Sequence, residues 1–428
     1  MTQQKRWGAA VTAAAVIVII TLTLTPSRAT IAPPPSLCII CGGFGGVDVI
    51  LNVLLFVPLG IGLGLLAHRR RRAFMLALAL SLTIEILQIP IPGRDSSLGD
   101  VVTNAAGATL GLLVVANWRA LLVPDRRVAR LLATCAAAAW WAMLLVSGWA
   151  VQTSLPTTTY WGQWEPELLQ FDRFPGKLLD ARVAGFAFPD GMMADSPEFR
   201  RRLLGDSAVV RARVLPAGPT RRTAPIVSVY DMYRTQVFLL GERGRSAIFT
   251  MRMHAADLRV RGPQVGLDGV FAPGGGRIAG ELQLAAGVSA DRRLWIEARG
   301  ERTARRSVSL DVALGWSFLL PFDYAYGAEW PWLTGIWLVA LASPVAYWAR
   351  RDGRSTWVAA SLATLVALAA VPPLVDAHAS AWWEWGAVLA GLCIGAWIGR
   401  WTLHTEARRA AGELVRGRGR EARSIATL

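Results

Sequence analysis

Cysteine and histidine are both scarce, each occurring four times in 428 residues. Metal centres built on thiolate and imidazole need such residues at short spacing, and only Cys38 and Cys41 stand that close. No second pair and no nearby histidine accompany them, which argues against zinc. They lie before Gly42, Gly43, Gly45 and Gly46, where a strained loop disulfide and two free thiols both remain open readings. Cys135 and Cys393 fall inside apolar runs as small packing residues. The histidine pairs and phosphate-cradling loops of most phosphatases and ATP-driven transporters are missing, which leaves a carboxylate-based, metal-assisted reaction as the enzymatic option. Clustered Asp and Asn oxygens of a calcium loop are missing too. Charged residues make up only 18% of the chain, against about 25% in an ordinary soluble protein.

What replaces them is apolar sequence. Hydrophobic residues reach 53%, and a length scan finds about eight spans at 7–25, 48–67, 73–91, 101–118, 131–151, 330–349, 355–375 and 381–399. The formal charge is +15 and the pI about 10.9, values that suggest nucleic acid in a soluble protein. Placement of the charge argues otherwise. Of 45 Lys and Arg, 23 fall within 152–328, where 18 acids offset them. Nearly all the others flank apolar spans on one side: Lys5–Arg6, His68 to Arg72, Arg119 to Arg130, Arg350 to Arg354, and the tail from Arg400. That is the positive-inside pattern, so no nucleic-acid partner is expected. Eight spans put both termini in the cytoplasm and segment 152–328 outside it. The first span is long for a signal peptide and reads as an uncleaved anchor.

Six polar residues interrupt this apolar sequence within 20 positions: Glu85, Gln88, Arg94, Asp95, Asp100 and Asn104. Unpaired charge in lipid costs about 2.5–3.5 kcal/mol on insertion scales, so such groups should face one another, a cavity or a ligand. Glu85 and Gln88 share a helix face, as do Asp100 and Asn104. Pro90, Pro92 and Gly93 end one helix and place Arg94 and Asp95 in the turn. Two helix ends and their connection then gather all six near one membrane surface. A structural salt-bridge cluster is the competing account, although three carboxylates facing one Arg leave acidic capacity over. No cofactor is expected, a divalent ion at this acidic cluster being the one exception left open.

The motif Asn52-x-x-x-Phe56-x-Pro58-x-Gly60, then Glu85-x-x-Gln88, Arg94-Asp95-x-x-x-x-Asp100 and Asn104-x-x-Gly107-x-x-x-Gly111, resembles the VanZ-like family of bacterial membrane proteins over about residues 48–115. The resemblance implies a bacterial inner-membrane location and a role in resistance to teicoplanin-type glycopeptides, without settling a mechanism. Physically, Asn52 and Phe56 share a helix face and Pro58 kinks the helix after them. Gly60, Gly62, Gly64, Gly107 and Gly111 allow close helix approach.

Between the fifth and sixth spans the period changes from about Ala208. Short alternating runs such as "VVRARV", "APIVSVYD", "TQVFLLGE", "AIFTMRMH", "DLRVR" and "RLWIEARG", separated by turn signals, predict an antiparallel sandwich. The pattern resembles a concanavalin-A-like, or laminin-G-like, jelly roll. Asp231, Glu242 and Glu297 stand on separate runs, unlike the paired carboxylates of a glycosidase, so binding is the expected task. Tyr230, Asp231, Tyr233, Arg234 and Gln236 are the candidate glycan contacts. Trp161, Trp164, Phe171 and Phe174 read as a packed lead-in or a groove. Trp316, Phe318, Phe322, Tyr324, Tyr326, Trp330 and Trp332 read as an aromatic belt at the membrane.

The expected architecture is therefore an α-helical multi-pass membrane protein carrying an extracytoplasmic all-β sandwich. Its parts are an N-terminal anchor (1–30), a VanZ-like helical block (48–151), the sandwich (152–328), a three-helix block (329–400) and a basic cytoplasmic tail (401–428). Expected partners are a membrane lipid or lipid-linked cell-wall precursor, bound at the polar strip with Asn52, and an envelope glycan at the sandwich. An enzyme acting on a lipid-linked phosphate or glycan, and a transporter, are the alternatives. The two helical blocks lack the inverted symmetry that would favour transport.

Overall fold

The computed structural model describes residues 3–26, 45–67, 69–92, 94, 96–167, 171–187, 189–205, 208–271, 280–300, 303–320 and 331–425, with side chains to 408. Cys38, Cys41, Gly93, Asp95, Phe322, Tyr324, Tyr326 and Trp330 lie outside the described residues. The helices are α1 (Gln3–Leu24), α2 (Gly45–Leu66), α3 (Arg70–Gln88), α4 (Leu98–Ala116), α5 (Trp118–Leu122), α6 (Arg126–Ala150), α7 (Ser196–Leu204), α8 (Pro331–Asp352), α9 (Arg354–Leu374) and α10 (Trp382–Ile425). Seven of them, α1, α2, α4, α6, α8, α9 and α10, are long and apolar enough to cross a membrane. The protein is membrane-embedded. The span count differs from eight at α3, a 19-residue helix whose first three residues are arginines and whose last turns carry Glu85 and Gln88.

The chain divides into two compact units: residues 1–116, 146–331 and 372–379, and residues 117–145, 332–371 and 380–428. In the first unit, α1 to α4 pack around Ile19, Phe56, Leu59, Ala77, Ile84 and Ala108. Glycines set the spacing. A Cβ at Gly107 would strike the Val53 carbonyl, one at Gly111 the Val57 carbonyl, and one at Gly60 the Ala108 backbone. The α2 and α4 backbones therefore touch, as small residues permit in lipid. The second unit combines the same device with ion pairs. Gly391, Gly395 and Gly399 of α10 lie against the α8 backbone at Val339, Ser343 and Tyr347. Arg130 forms a fork with Asp352 at 2.9 and 3.2 Å, and Arg351 another with Glu406 at 3.0 and 2.9 Å.

The rest of the first unit is a sandwich of two six-stranded antiparallel sheets. Its strands are β1 (Tyr160–Trp164), β2 (Lys177–Val183), β3 (Phe186–Ala187), β4 (Gly191–Met192), β5 (Val209–Leu215), β6 (Thr223–Asp231), β7 (Gln236–Arg243), β8 (Ser246–Met251), β9 (Gln264–Leu267), β10 (Leu282–Val288), β11 (Arg293–Arg299) and β12 (Thr303–Ser309). One sheet has the order β4-β1-β6-β7-β8-β9 and the other β12-β11-β10-β5-β2-β3. Val227, Phe238 and Phe249 of the first meet Val210, Leu284 and Ile296 of the second in one core.

Three local expectations change. The stretch before Ala208, read without strands of its own, supplies strands to both sheets, since β1 pairs with β6 and β2 with β5. In β1, Trp161 and Trp164 are half-buried strand residues, while Phe174 is buried against Phe271. The run "DLRVR" turns instead of extending. Asp257 holds Ser154, Arg252 and His254 through its carboxylate, and that anchors a tight bend. Trp316 and Phe318 sit in a buried 3-10 segment, Val312–Leu319, with Phe318 in the sandwich core instead of a membrane belt. Trp332 is exposed on α8.

Close α2–α4 contact makes a direct prediction. Gly111→Val should lower the thermal midpoint of the detergent-solubilised chain, because overpacking costs about 1–3 kcal/mol. Gly64→Ala, whose new methyl would meet side-chain atoms of Leu112 and Val115 at 3.2–3.3 Å and no backbone, should lower the midpoint much less. Equal midpoints for both variants would contradict the packing account.

Candidate functional site

Four helix ends converge at one end of the α1–α4 bundle, and the polar strip lies among them. Helix α4 begins at a serine cap, with the Ser97 hydroxyl accepting from the Gly99 amide at 3.0 Å, as N-caps do. Ser97 in turn donates its own amide to Glu85 Oε2 at 2.8 Å. Both groups are buried, so the Glu85 carboxylate ties the end of α3 to the start of α4.

The last turn of α1 is held from the side. Gln88 Nε2 donates to the Thr23 carbonyl at 3.1 Å. Arg94 donates from Nε to the Thr25 carbonyl at 2.9 Å and from Nη2 to the Leu22 carbonyl at 2.5 Å. Those carbonyls carry the negative end of the helix dipole, where a cation is favoured. Arg94 thus caps α1 through backbone carbonyls, and Asp95, one of the carboxylates expected beside it, lies outside the described residues. Its Nη1 group makes no hydrogen bond to the described residues.

Asp100 and Asn52 connect α4 to α2, with Asn52 Nδ2 donating to Asp100 Oδ1 at 2.9 Å. Deeper in the bundle, buried Asn104 donates to Ser81 Oγ at 3.0 Å. Two buried amide oxygens, Gln88 Oε1 and Asn104 Oδ1, have no hydrogen-bond partner among the described residues. The partner of Gln88 Nε2 is a carbonyl, which can only accept, so the orientation of that amide is fixed. A buried acceptor left unpaired costs about 1–3 kcal/mol. The cluster therefore offers unused acceptors beside one guanidinium edge, the complement of a group bearing both hydroxyls and an anion.

Sequence reasoning missed Ser81, Ser97 and the α1 carbonyls. Ser81 lies one turn before Glu85 on the same face, and Ser97 precedes an apolar helix start, so both left a signal. Backbone carbonyls leave none.

On the sandwich, the five candidate glycan contacts gather at the β6–β7 hairpin. Buried Asp231 shapes the turn, Oδ1 accepting from the amides of Tyr233 at 2.9 Å and Thr235 at 2.7 Å. Arg234 takes a left-handed conformation with φ of 61°, and Tyr233 is 73% exposed. Tyr230 faces Gln236 across the hairpin. Burial raises the Tyr230 phenol pKa, opposed in part by the Ser228 hydroxyl. The register adds Trp161 opposite Tyr230 and Gln163 opposite Ser228. Gln163 Oε1, Ser228 Oγ and Tyr230 OH are buried without a well-formed hydrogen bond. Glu297 is paired with Arg299 and Arg305. Glu242 is fully buried on β7, with Oε1 accepting from the Thr220 amide at 3.0 Å. Its desolvation pushes the pKa up to about 7.

Residues 7–120 match the VanZ/LLP1 family model. The chain therefore carries a VanZ-like domain over α1 to α4, and the match takes in α1, whose end joins the polar cluster. The sandwich and the later helices lie outside it. No curated protein and no solved structure matches the chain.

Glu242 predicts a pH dependence. Its folded pKa near 7 exceeds the ordinary value of 4.5, so the native state binds the extra proton between those limits. Stability should fall as pH rises from about 4.5 to 7, by up to about 3 kcal/mol, and stay low above that range. Glu242→Gln should flatten this part of the profile in melting curves taken from pH 5 to 8. An unchanged slope would show that Glu242 is not the titrating group.

Proposed function

We propose that this VanZ-like membrane protein binds a lipid-linked cell-wall or polysaccharide precursor at the polar confluence of α1 to α4. The observation that carries this reading is the leftover bonding capacity at the end of α1. Among the described residues Gln88 Oε1 is buried without a partner, while Arg94, bonded to the same helix turn, keeps its Nη1 edge. Sugar hydroxyls would answer the amide oxygen, and a phosphate would answer the guanidinium. Glu85 and Ser97 hold the helix ends in register, and Asp100 with Asn52 forms the opposite wall. The sandwich, with Tyr230, Asp231, Tyr233, Arg234 and Gln236 around one hairpin and the buried Gln163 Oε1 beside them, serves as the glycan-binding module. A precursor held in this way is less available to a glycopeptide drug, and that is the form in which the family's link to resistance would apply.

The reading places α3 across the bacterial inner membrane as an eighth span, with both termini cytoplasmic and the confluence and sandwich outside. Arg69 to Arg72 then join the other basic clusters on the inner side. Single cysteines replacing Gly218 and Gly417 in a cysteine-free background test the orientation. In intact spheroplasts a membrane-impermeant thiol reagent should label the first and spare the second, and the reverse pattern would overturn it.

Mass spectrometry of lipids co-purifying with the full chain tests the ligand. The parent should retain a glycosylated phospholipid that Gln88→Leu and Asp100→Asn lose, at folded yields near normal. If both variants fall in yield together while the lipid profile stays the same, the cluster is a structural brace only.

A further inference from the structure

The outward face of the second sheet carries a groove of about 530 Å³, separate from the confluence and from the β6–β7 hairpin. Alternation along β5 buries Val210, Ala212 and Val214 and leaves Arg211 and Arg213 exposed. Register extends each of these into a row across the sheet. One row runs Arg182, Arg211, Ala285, Glu297, Arg305. The next runs Asp180, Arg213, Gln283, Arg299. Five arginines and two acids thus line the groove.

The acids do not satisfy the arginines. Asp180 is shared by Arg182 at 2.9 Å and Arg213 at 3.7 Å. Glu297 is shared by Arg299 and Arg305, and the Arg305 guanidinium also covers the Trp295 ring at 4.5 Å. Arg213 reaches beyond the groove to Glu281 at 3.2 Å. Arg211 makes no hydrogen bond or ion pair to the described residues, and it stands directly opposite Arg182. Like charges directly opposite one another on neighbouring strands destabilise a sheet. An anion lying between them would turn that repulsion into attraction.

We propose that this groove binds an acidic glycan, one whose units carry carboxylate or phosphate, laid across the strands with Arg211 at its centre. The longer row crosses five strands, roughly 19 Å at the usual strand spacing, which suits an extended oligomer better than a single ion. Guanidinium forks match carboxylate and phosphate in two-point contact. A membrane-docking face would present large apolar side chains for insertion, and none of the groove residues is among the exposed large hydrophobics. Nucleic-acid bases need a free aromatic platform, and Arg305 occupies the face of Trp295. The site is independent of the precursor reading above.

Calorimetry on the full chain in a neutral detergent tests this. Trigalacturonate supplies the carboxylate arm and a glycerol-phosphate oligomer the phosphate arm, with chitotriose as the neutral sugar and phosphatidylglycerol vesicles as the lipid arm. At least one acidic oligomer should bind and weaken with salt, while chitotriose should not bind measurably. Arg211→Ala and Arg182→Ala should each weaken binding about tenfold, the scale of one charged hydrogen-bonding group, and Arg221→Ala, outside the groove, should leave it unchanged. The melting temperature of Arg211→Ala without ligand should equal or exceed that of the parent, since a repulsion is removed. The proposal is overturned if chitotriose binds as well as the acids, if neither groove substitution matters, if vesicles are preferred to both oligomers, or if Arg211→Ala melts lower.

Discussion

A helix that stops near a bilayer boundary leaves amides or carbonyls unpaired in its terminal turn, and lipid supplies no partner for them. The α1–α4 bundle depends on how that requirement is met. Ser97 closes the start of α4, Glu85 takes the Ser97 amide, and Gln88 and Arg94 take the last carbonyls of α1. Each of these side chains comes from a different helix or turn than the group it satisfies, except for the serine cap itself. The caps therefore also act as crosslinks, and the four helix ends are brought together by the same bonds that complete them. The proposed binding function rests on the remainder, the buried oxygens and the guanidinium edge that capping leaves without a partner among the described residues.

Close backbone contact makes this possible. The glycines of α2 and α4 let those helices touch along Val53, Val57 and Ala108, which brings Asn52 within bonding distance of Asp100. The sandwich is joined to the same end of the bundle. The Gly46 amide, at the start of α2, donates to the Arg259 carbonyl at 3.1 Å, and Val47 enters the sandwich core. Polar cluster and sandwich thus lie at the same end of α2, an arrangement suited to one ligand with a membrane-held part and a sugar part.

Much of this was legible in the sequence because it rests on period and on isolated polarity. Apolar runs marked eight spans, seven of which are helices long and apolar enough to cross a membrane, and short runs marked β5 to β8 and β11. The polar strip stood out because charge is rare in such surroundings. What escaped depends on partners remote in sequence. β1 and β2 are short and mixed in character, and they are strands because β6 and β5 pair with them. β10, "LQLAAGV", has small residues and weak alternation, yet it holds the centre of the second sheet. Arg211 and Arg213 were visible as facing one way, but only the register with β2, β10, β11 and β12 turns them into a groove. The capping contacts of Arg94 escaped for a related reason, since its partners there are backbone carbonyls, and every residue type has one.

The central claim is that capping at the α1–α4 confluence leaves a site for a polar head group. Electron cryomicroscopy of the full chain in nanodiscs made from its native lipids would address it most directly. The account predicts density for a head group within hydrogen-bonding distance of Gln88 Oε1 and Arg94 Nη1, with its acyl chains running along the outside of the bundle. A well-resolved map in which a side chain of the protein itself fills that position, with no lipid at the four helix ends, would contradict it.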